Sequence, residues 1–362
     1  MDNTGFSKRV LMIHHGVGIG GAPKSMSYIA RRLIRNGVDV KILFLKRSDA
    51  LKLYEGIPYE VVGFPTRYFS HTSRWYRIYE FPIIALQFIS WFLTLFFIAP
   101  YWLYRIKPNV VYMNSSVLTD WLIAAKWFNK KTIMHVRESI SHGHFGIRNK
   151  LIKSLIEKAA DRTIFLSEHN YNQLNINSKF EIIPNYVDMS NENENSIDRK
   201  YDFVYLGGRS EIKGFRYVLN LIKSLNNKTF CLLGYYDEDS LRELSRFDNV
   251  YVLGIQNEAL TFIKQSKYLL YPATTPHFPR PVIEAMACKT VPIASNLEGI
   301  DEIITDTIDG YTVDFDSDEI SLKIKKIIDL NYFDVSNSAY EKYVKNYSIK
   351  NEERILQVIL GD

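Results

Sequence analysis

Short apolar runs alternate with longer stretches in which apolar residues recur every three or four positions. The run RVLMIH (9–14) reads as a buried strand, KSMSYIARRLIRN (24–36) as a helix ending at Gly37, and VDVKILFL (38–45) as a second buried strand. Further strands are expected at YEVVGF, NVVYMN, KTIMHV, DRTIFLS and FEIIP, with helical patterns between several of them. Near-continuous apolar runs of this kind suit a parallel sheet covered on both faces. The pattern lapses over 189–200, MSNENENSIDRK, which reads as a linker. It then restarts with YDFVYLG, KTFCLLG, NVYVLG, SKYLLYP and TVPIAS, several of them closed by glycine. The expected organisation is a Rossmann-like domain over 1–188, the linker, a second α/β domain over 201–345, and a terminal helix within 346–362. The apolar stripe of that helix, Ile355, Leu356, Ile359 and Leu360, needs cover, for which the first domain is a candidate.

One stretch breaks the rhythm. From Phe81 to Tyr104 there are 24 positions without a charge, long enough to cross a hydrocarbon core of roughly 30 Å. Strands of the same expected sheet lie before and after it, so a single crossing would separate them. The segment is therefore expected to lie in one leaflet or to be buried in the first domain, and the leaflet is favoured. The preceding stretch interleaves Arg67, Arg74 and Arg77 with Tyr68, Phe69, Trp75, Tyr76 and Tyr79, a mixture suited to an anionic membrane surface. A membrane contact is accordingly expected over 67–104.

Composition narrows the class. With 362 residues, 46% hydrophobic and 23% charged, the chain suits two globular cores better than one. The net charge of +5 is spread along the chain, which gives nucleic-acid binding little support. Cys231 and Cys288 lie in apolar runs without metal or redox spacing, as buried thiols of a reducing compartment would. No secretory signal is read at the start, and a cytoplasmic location is expected.

Candidate chemistry gathers in three loops. Gly16, Gly18 and Gly21 follow the first strand in GxGxxG spacing, where backbone could approach an anion at a helix N-terminus. The second strand ends at Lys46 and Arg47 rather than at the acidic residue that holds the ribose of NAD. An NADP-linked oxidoreductase thus remains a rival reading. In YLGGRSEIKGF, Gly207 and Gly208 are followed by Arg209 and Lys213, a fork and a point charge able to hold a diphosphate. In TTPHFPRPVIEAMA, Glu284 follows a proline-rich loop and could accept hydrogen bonds from ribose hydroxyls. Asp316-Ser317-Asp318 matches a metal-binding Asp-x-Asp formally, but its place before the helical pattern EISLKIKKII favours a helix-start role.

Taken together, GGAPKS, GGRSEIKG and PRPVIEAMACKTVPIASNLEGIDEII resemble the retaining glycosyltransferases of family 4, which have the GT-B fold, two Rossmann-like domains facing a cleft. The resemblance implies that Arg209 and Lys213, with Gly208, bind the donor diphosphate, and that Glu284 binds the nucleotide ribose. It implies that Gly20 and Gly21 form the N-terminal glycine loop near the donor phosphates and acceptor, and that His135 contacts the transferred sugar. The family's first glutamate, which usually faces that sugar, is replaced by Pro276, leaving His277 and Arg280 as the nearby polar side chains. Tyr186 likewise replaces a glycine in IIPNYVD. The implied activity is a metal-independent, retaining transfer from a nucleotide diphosphate sugar, without a cofactor, to a glycan or lipid-linked acceptor at the inner face of the membrane. Pro276 also motivates a rival, a catalytically degenerate scaffold.

Overall fold

The computed structural model describes residues 8–16, 20–63, 81–140, 146–189, 198–256, 258–276, 278–328 and 330–361. His277 and the aromatic and basic stretch 67–79 lie outside the described residues. The chain divides into two compact units, 1–185 with 351–362, and 186–350.

The first unit is built on seven parallel strands: β1 (Arg9–His14), β2 (Asp39–Phe44), β3 (Tyr59–Val61), β4 (Val110–Met113), β5 (Lys131–Val136), β6 (Arg162–Phe165) and β7 (Phe180–Ile182). Their order is β3-β2-β1-β4-β5-β6-β7, so the winding reverses between β1 and β4. Helices α1 (Gly21–Arg35), α2 (Phe81–Leu93), α3 (Ala99–Ile106), α4 (Thr119–Trp127), α5 (Ile147–Ala159) and α6 (Glu168–Leu174) connect them. Every residue of β4 is buried, as is β1 from Val10 onward, which explains the unbroken apolar runs. Leu11, Ile13, Val111, Met113, Met134 and Val136 form one core with α4, anchored by Trp121.

The second unit repeats the plan with β8 (Tyr201–Tyr205), β9 (Phe230–Leu233), β10 (Val250–Gly254), β11 (Ser266–Tyr271), β12 (Val291–Ser295) and β13 (Tyr311–Val313), all parallel. The order β10-β9-β8-β11-β12-β13 reverses between β8 and β11, the strand arrangement of dinucleotide-binding folds. Its helices are α7 (Phe215–Ser224), α8 (Glu238–Leu244), α9 (Ala259–Lys264), α10 (Arg280–Ala287), α11 (Ile320–Ile328) and α12 (Tyr332–Asn346). Two details differ from the sequence reading. The edge strand β13 was not anticipated, because YTV is flanked by TIDG and DFDSD and lacks the paired apolar residues of YEVVGF and FEIIP. The change of unit falls after Asn185 rather than after 188, because Val187 donates its N–H to Tyr347 O (3.0 Å) and accepts from Tyr343 Oη (3.0 Å).

The terminal helix α13 (Lys350–Leu360) belongs to the first unit. Ile355, Leu356 and Ile359 are buried; Asn351 Nδ2 donates to Pro184 O at 3.2 Å and Lys8 Nζ to Leu360 O at 2.7 Å.

The uncharged segment forms a continuous helical rod of α2, a π turn over Thr94–Ile98, and α3, 26 residues or about 39 Å at 1.5 Å per residue. Pro100, in the first turn of α3, has no N–H to give the preceding turn, and the wider π turn accommodates the gap. The rod's polarity is inverted. Gln87, Ser90 and Thr94 are buried with Leu95, Ala99, Trp102 and Leu103, whereas Leu86, Ile89, Phe92, Phe96, Phe97 and Tyr101 are exposed. The C-terminal end of the rod leads into β4, which pairs directly with β1.

Glycine is required where loops of the second unit meet. Gly214 has φ +76°, and a Cβ there would fall 1.8 Å from Pro272 O. Gly214→Ala should destabilise the protein by about 2 to 4 kcal/mol through left-handed strain and backbone collision, read by urea unfolding; an unchanged midpoint would contradict the contact.

Candidate active site

In the second unit, two loops leave the carboxyl ends of strands on either side of the winding reversal, where open α/β sheets hold their ligands. The loop after β8 runs over 206–214 and starts α7. Tyr205 Oη donates to Lys213 O at 3.2 Å, bracing the loop from below. Gly208 N donates to Leu233 O (3.0 Å) and Arg209 N to Tyr235 O (2.8 Å). A Cβ on Gly208 would lie 2.6 Å from Tyr235 O, and one on Gly234 2.6 Å from Gly208 N. The glycines that close β8 and β9 thus allow backbone-to-backbone contact, and this contact sets where Arg209 leaves the loop.

The second loop follows β11. Thr274 N donates to Ile212 O at 2.9 Å, and Pro272 packs against Gly214, so the two loops are joined across the reversal point. Arg280 opens α10 and donates from Nε to Glu284 Oε1 at 2.9 Å; both side chains are buried. The structure therefore brings Gly208, Arg209 and Lys213 on one loop to the same edge as Arg280 and Glu284 of α10, into which the other loop leads. Lys213 is exposed, whereas the Arg209 guanidinium is engaged by the Asp237 carboxylate. Asp237 also caps α8, accepting from Ser240 N at 2.9 Å. Those Ser240 bonds, and then Arg209, hold its carboxyl below the usual carboxylate range. The sequence reading missed Asp237, although an Asp three residues before Ser240, after a glycine-closed strand, is a helix-start signal.

Asp316 lies in the turn before α11, 3.8 Å from Arg216. Among the described residues, no three His, Cys, Asp or Glu side chains converge as a metal site would require.

In the first unit, the corresponding edge is polar and buried. Gly20 is the N-cap of α1 and Gly21 its first residue. Gly16 (φ +75°) lies so close to β2's exit that a Cβ would fall 2.5 Å from Lys46 O. His14 accepts from Gly16 N at 2.9 Å through Nδ1. His135, at the end of β5, is fully buried and hydrogen-bonds Tyr112 Oη through Nδ1. Arg137, two residues on, reaches Asn114 Oδ1 (2.6 Å) from Nε and Asn185 Oδ1 (2.9 Å) from Nη1. His14, Tyr112, Asn114 and Arg137 were not anticipated; the doubled histidine closing β1 and the HVR closing β5 were the available signals. Burial, then the charges of His15 and Arg137, lowers the His14 pKa to about 3. Burial and Arg137 also hold His135 well below the ordinary imidazole value.

Family models match both halves of the chain: Glycosyltransferase Family 4 over residues 19–191 and Glycosyl transferases group 1 over residues 188–347. A capsular polysaccharide biosynthesis glycosyltransferase, CapH of Staphylococcus aureus, is 26% identical over 172 residues, 43% of this chain and 48% of that protein. An uncharacterized 41.2 kDa protein in the cps region of Klebsiella pneumoniae is 24% identical over 164 residues, 44% of this chain and 46% of that protein. The chain thus spans about half the length of the curated relatives it matches. Among solved structures, HepE of Anabaena in complex with UDP and glucose superposes with a TM-score of 0.72 at 16% identity, covering 97% of this chain and 98% of HepE. A glycosyltransferase of Rickettsia africae gives 0.71 at 16%, covering 99% and 100%. These likenesses show the two-domain GT-B fold.

The buried histidines make stability pH-dependent. Below the ordinary 6.5, the unfolded chain takes up a proton at His14 that the folded chain refuses until about pH 3, so stability falls as pH falls through this window. At pH 5, His14 alone should cost on the order of 2 kcal/mol. Thermal melts between pH 7 and 5 should show a falling Tm, with a shallower fall for His14→Phe; a flat profile would contradict the buried neutral ring.

Proposed function

The chain belongs to glycosyltransferase family 4, and from that premise we propose that it transfers a sugar, with retention of configuration, from a nucleoside diphosphate donor to an acceptor hydroxyl. The observation that carries this reading is the joining of two loops at the reversal point of the second unit. One bears Arg209 and Lys213, and the other leads into α10, which carries Glu284. HepE, whose fold this chain shares, has been seen with UDP and glucose, which supports a nucleotide-sugar donor.

In the proposed reaction the bond between the sugar's anomeric carbon and the β-phosphate oxygen breaks. The acceptor oxygen bonds to that carbon from the same face, and its proton passes to the departing diphosphate. Arg209 and Lys213 neutralise charge that grows on the leaving group, with no metal or cofactor assigned a role, and positioned charges of this kind act most strongly where charge develops. Arg209 must shift from Asp237 to the phosphate. The Arg209–Asp237 pair is solvent-exposed, with side chains 51% and 32% accessible, and such pairs are weak enough for a dianion to displace. Glu284, held by Arg280, accepts from the ribose hydroxyls. By the family resemblance, Gly20 and Gly21 at the start of α1 are assigned to the donor phosphates and His135 to the transferred sugar. Arg280 opens α10 four residues after Pro276, which replaces the family's first glutamate.

The inverted polarity of the 81–106 rod supports a second element of the proposal. Large apolar side chains left in water over this length mark an interaction surface, and the rod is placed in the headgroup and acyl boundary of one leaflet at the cytoplasmic face. Trp127 and Phe128, both exposed, extend the apolar surface; Phe96 and Trp127 rings lie 5.6 Å apart. Arg105 and Lys126 are ion-paired with Glu60 and Asp161, and Lys107 and Lys130 follow α3 and α4 in the chain. A lipid-linked acceptor follows from that placement.

Two measurements test these readings. A thermal-shift panel of UDP, GDP, ADP and their sugar conjugates should show stabilisation by one nucleotide series that is lost in Arg209→Ala/Lys213→Ala, with turnover reduced on the order of 10²-fold or more in either single variant. Binding without turnover on any acceptor would favour the scaffold reading, and a shift with NADPH alone would overturn the transferase. In flotation assays, wild type should rise with phosphatidylglycerol-containing vesicles and Phe92→Ser/Phe96→Ser/Phe97→Ser should stay below; equal behaviour would contradict the leaflet placement.

A further inference from the structure

His14, Asn114 and His135 stand at the carboxyl ends of three adjacent strands. Ile13 is in register with Met113, and Met113 with Met134, so the next residue of each strand occupies one row across the reversal point of the first unit. Arg137 lies over the middle of that row, because its Nε donates to Asn114 and its Nη2 reaches Tyr112 Oη at 3.5 Å.

Everything unpaired in this row is a donor. His14 Nδ1 accepts from Gly16 N–H, so its proton sits on Nε2, which is buried and meets no acceptor. Tyr112 Oη accepts from Arg137 and so turns its own hydrogen toward His135 Nδ1. That arrangement again leaves the ring proton on Nε2, which is buried and unpartnered. Arg137 is 9% exposed and bonds only to neutral oxygens, those of Asn114, Asn185 and Tyr112. Three of its five N–H groups are used in this way. The adjacent carboxylate does not face it: Glu138 Oε2 accepts from Ser116 N, Ser116 Oγ and the Arg137 backbone N–H. Among the described residues no carboxylate pairs with the guanidinium. A buried cation without a counter-charge, beside buried N–H groups without acceptors, costs stability on each count. An oxygen-rich anion supplies a counter-charge for the guanidinium and acceptors for such N–H groups.

We propose that the first unit carries an oxyanion site of its own, in which Arg137 and the Nε2–H groups of His14 and His135 receive a carboxylate or phosphate group of a sugar substrate. The chain's substrates then include an acidic sugar, a uronate or a sugar phosphate. This rests on the transferase reading only in calling the ligand a substrate; the binding itself needs nothing from Arg209, Lys213 or Glu284.

The test is a thermal-shift titration of the full chain in detergent, at constant ionic strength, with glucuronate, glucose 1-phosphate, inorganic phosphate and glucose. Glucuronate or the phosphates should stabilise the wild type and glucose should not. A response to glucuronate alone assigns a carboxylate, and one to the phosphates alone assigns a phosphate. His14→Phe, which keeps a planar ring beside Phe44, should weaken the anion about tenfold by removing one N–H. Arg137→Gln should abolish the response, and Arg209→Ala/Lys213→Ala should keep it. The proposal is overturned if glucose matches the anions, if no anion shifts Tm, if His14→Phe binds as wild type does, or if the response disappears with Arg209 and Lys213. Loss of nucleotide binding in that last variant, with anion binding intact, would keep the two sites distinct.

Discussion

Close contact between backbones at the carboxyl edge of the second sheet governs the geometry of the candidate donor site. Gly208 and Gly234 touch main chain to main chain, and Gly214 meets Pro272 where a Cβ could not fit. With those contacts, the β8 and β9 loops share hydrogen bonds from Gly208 and Arg209, and the β8 and β11 loops share one from Thr274. Side chains on three different loops acquire fixed origins as a result. Arg209 and Asp237 can then face each other, and Lys213 and Glu284 flank one edge. The ion pairs are consequences of this crowding.

The two units use the same topology for different electrostatic ends. In the second, charges are exposed or paired: Arg209 with Asp237, and Arg280 with Glu284. In the first, the corresponding edge is buried, its histidines are held neutral, and Arg137 has neutral partners. The first arrangement leaves donors wanting an acceptor, and the second leaves cations able to exchange one anion for another. A transferase needs both kinds of surface, one to let a charged leaving group depart and one to hold a substrate still.

Much of the fold was legible along the chain because buried parallel strands are continuous apolar runs, as β1, β4 and β9 show. β13 was not, because YTV lies between polar stretches without a longer apolar run, and the unit boundary at Asn185 depends on Val187 packing against α12, a tertiary fact. Arg209, Lys213 and Glu284 could be singled out because glycine punctuation and family spacing mark their loops. Asp237, His14 and Arg137 carried only local signals, a helix start and two strand ends, and their significance arises when strands distant in sequence become neighbours. The apolar segment was conspicuous in composition, yet the burial of Gln87, Ser90 and Thr94 beneath an exposed aromatic face is a property of packing alone.

Hydrogen–deuterium exchange with and without UDP tests the central assignment most directly, because it reports where the nucleotide lands without depending on turnover or on any substitution. Protection concentrated in the peptides spanning 205–216 and 272–286 is the predicted result; protection confined to 14–25, with those two segments unchanged, would contradict it.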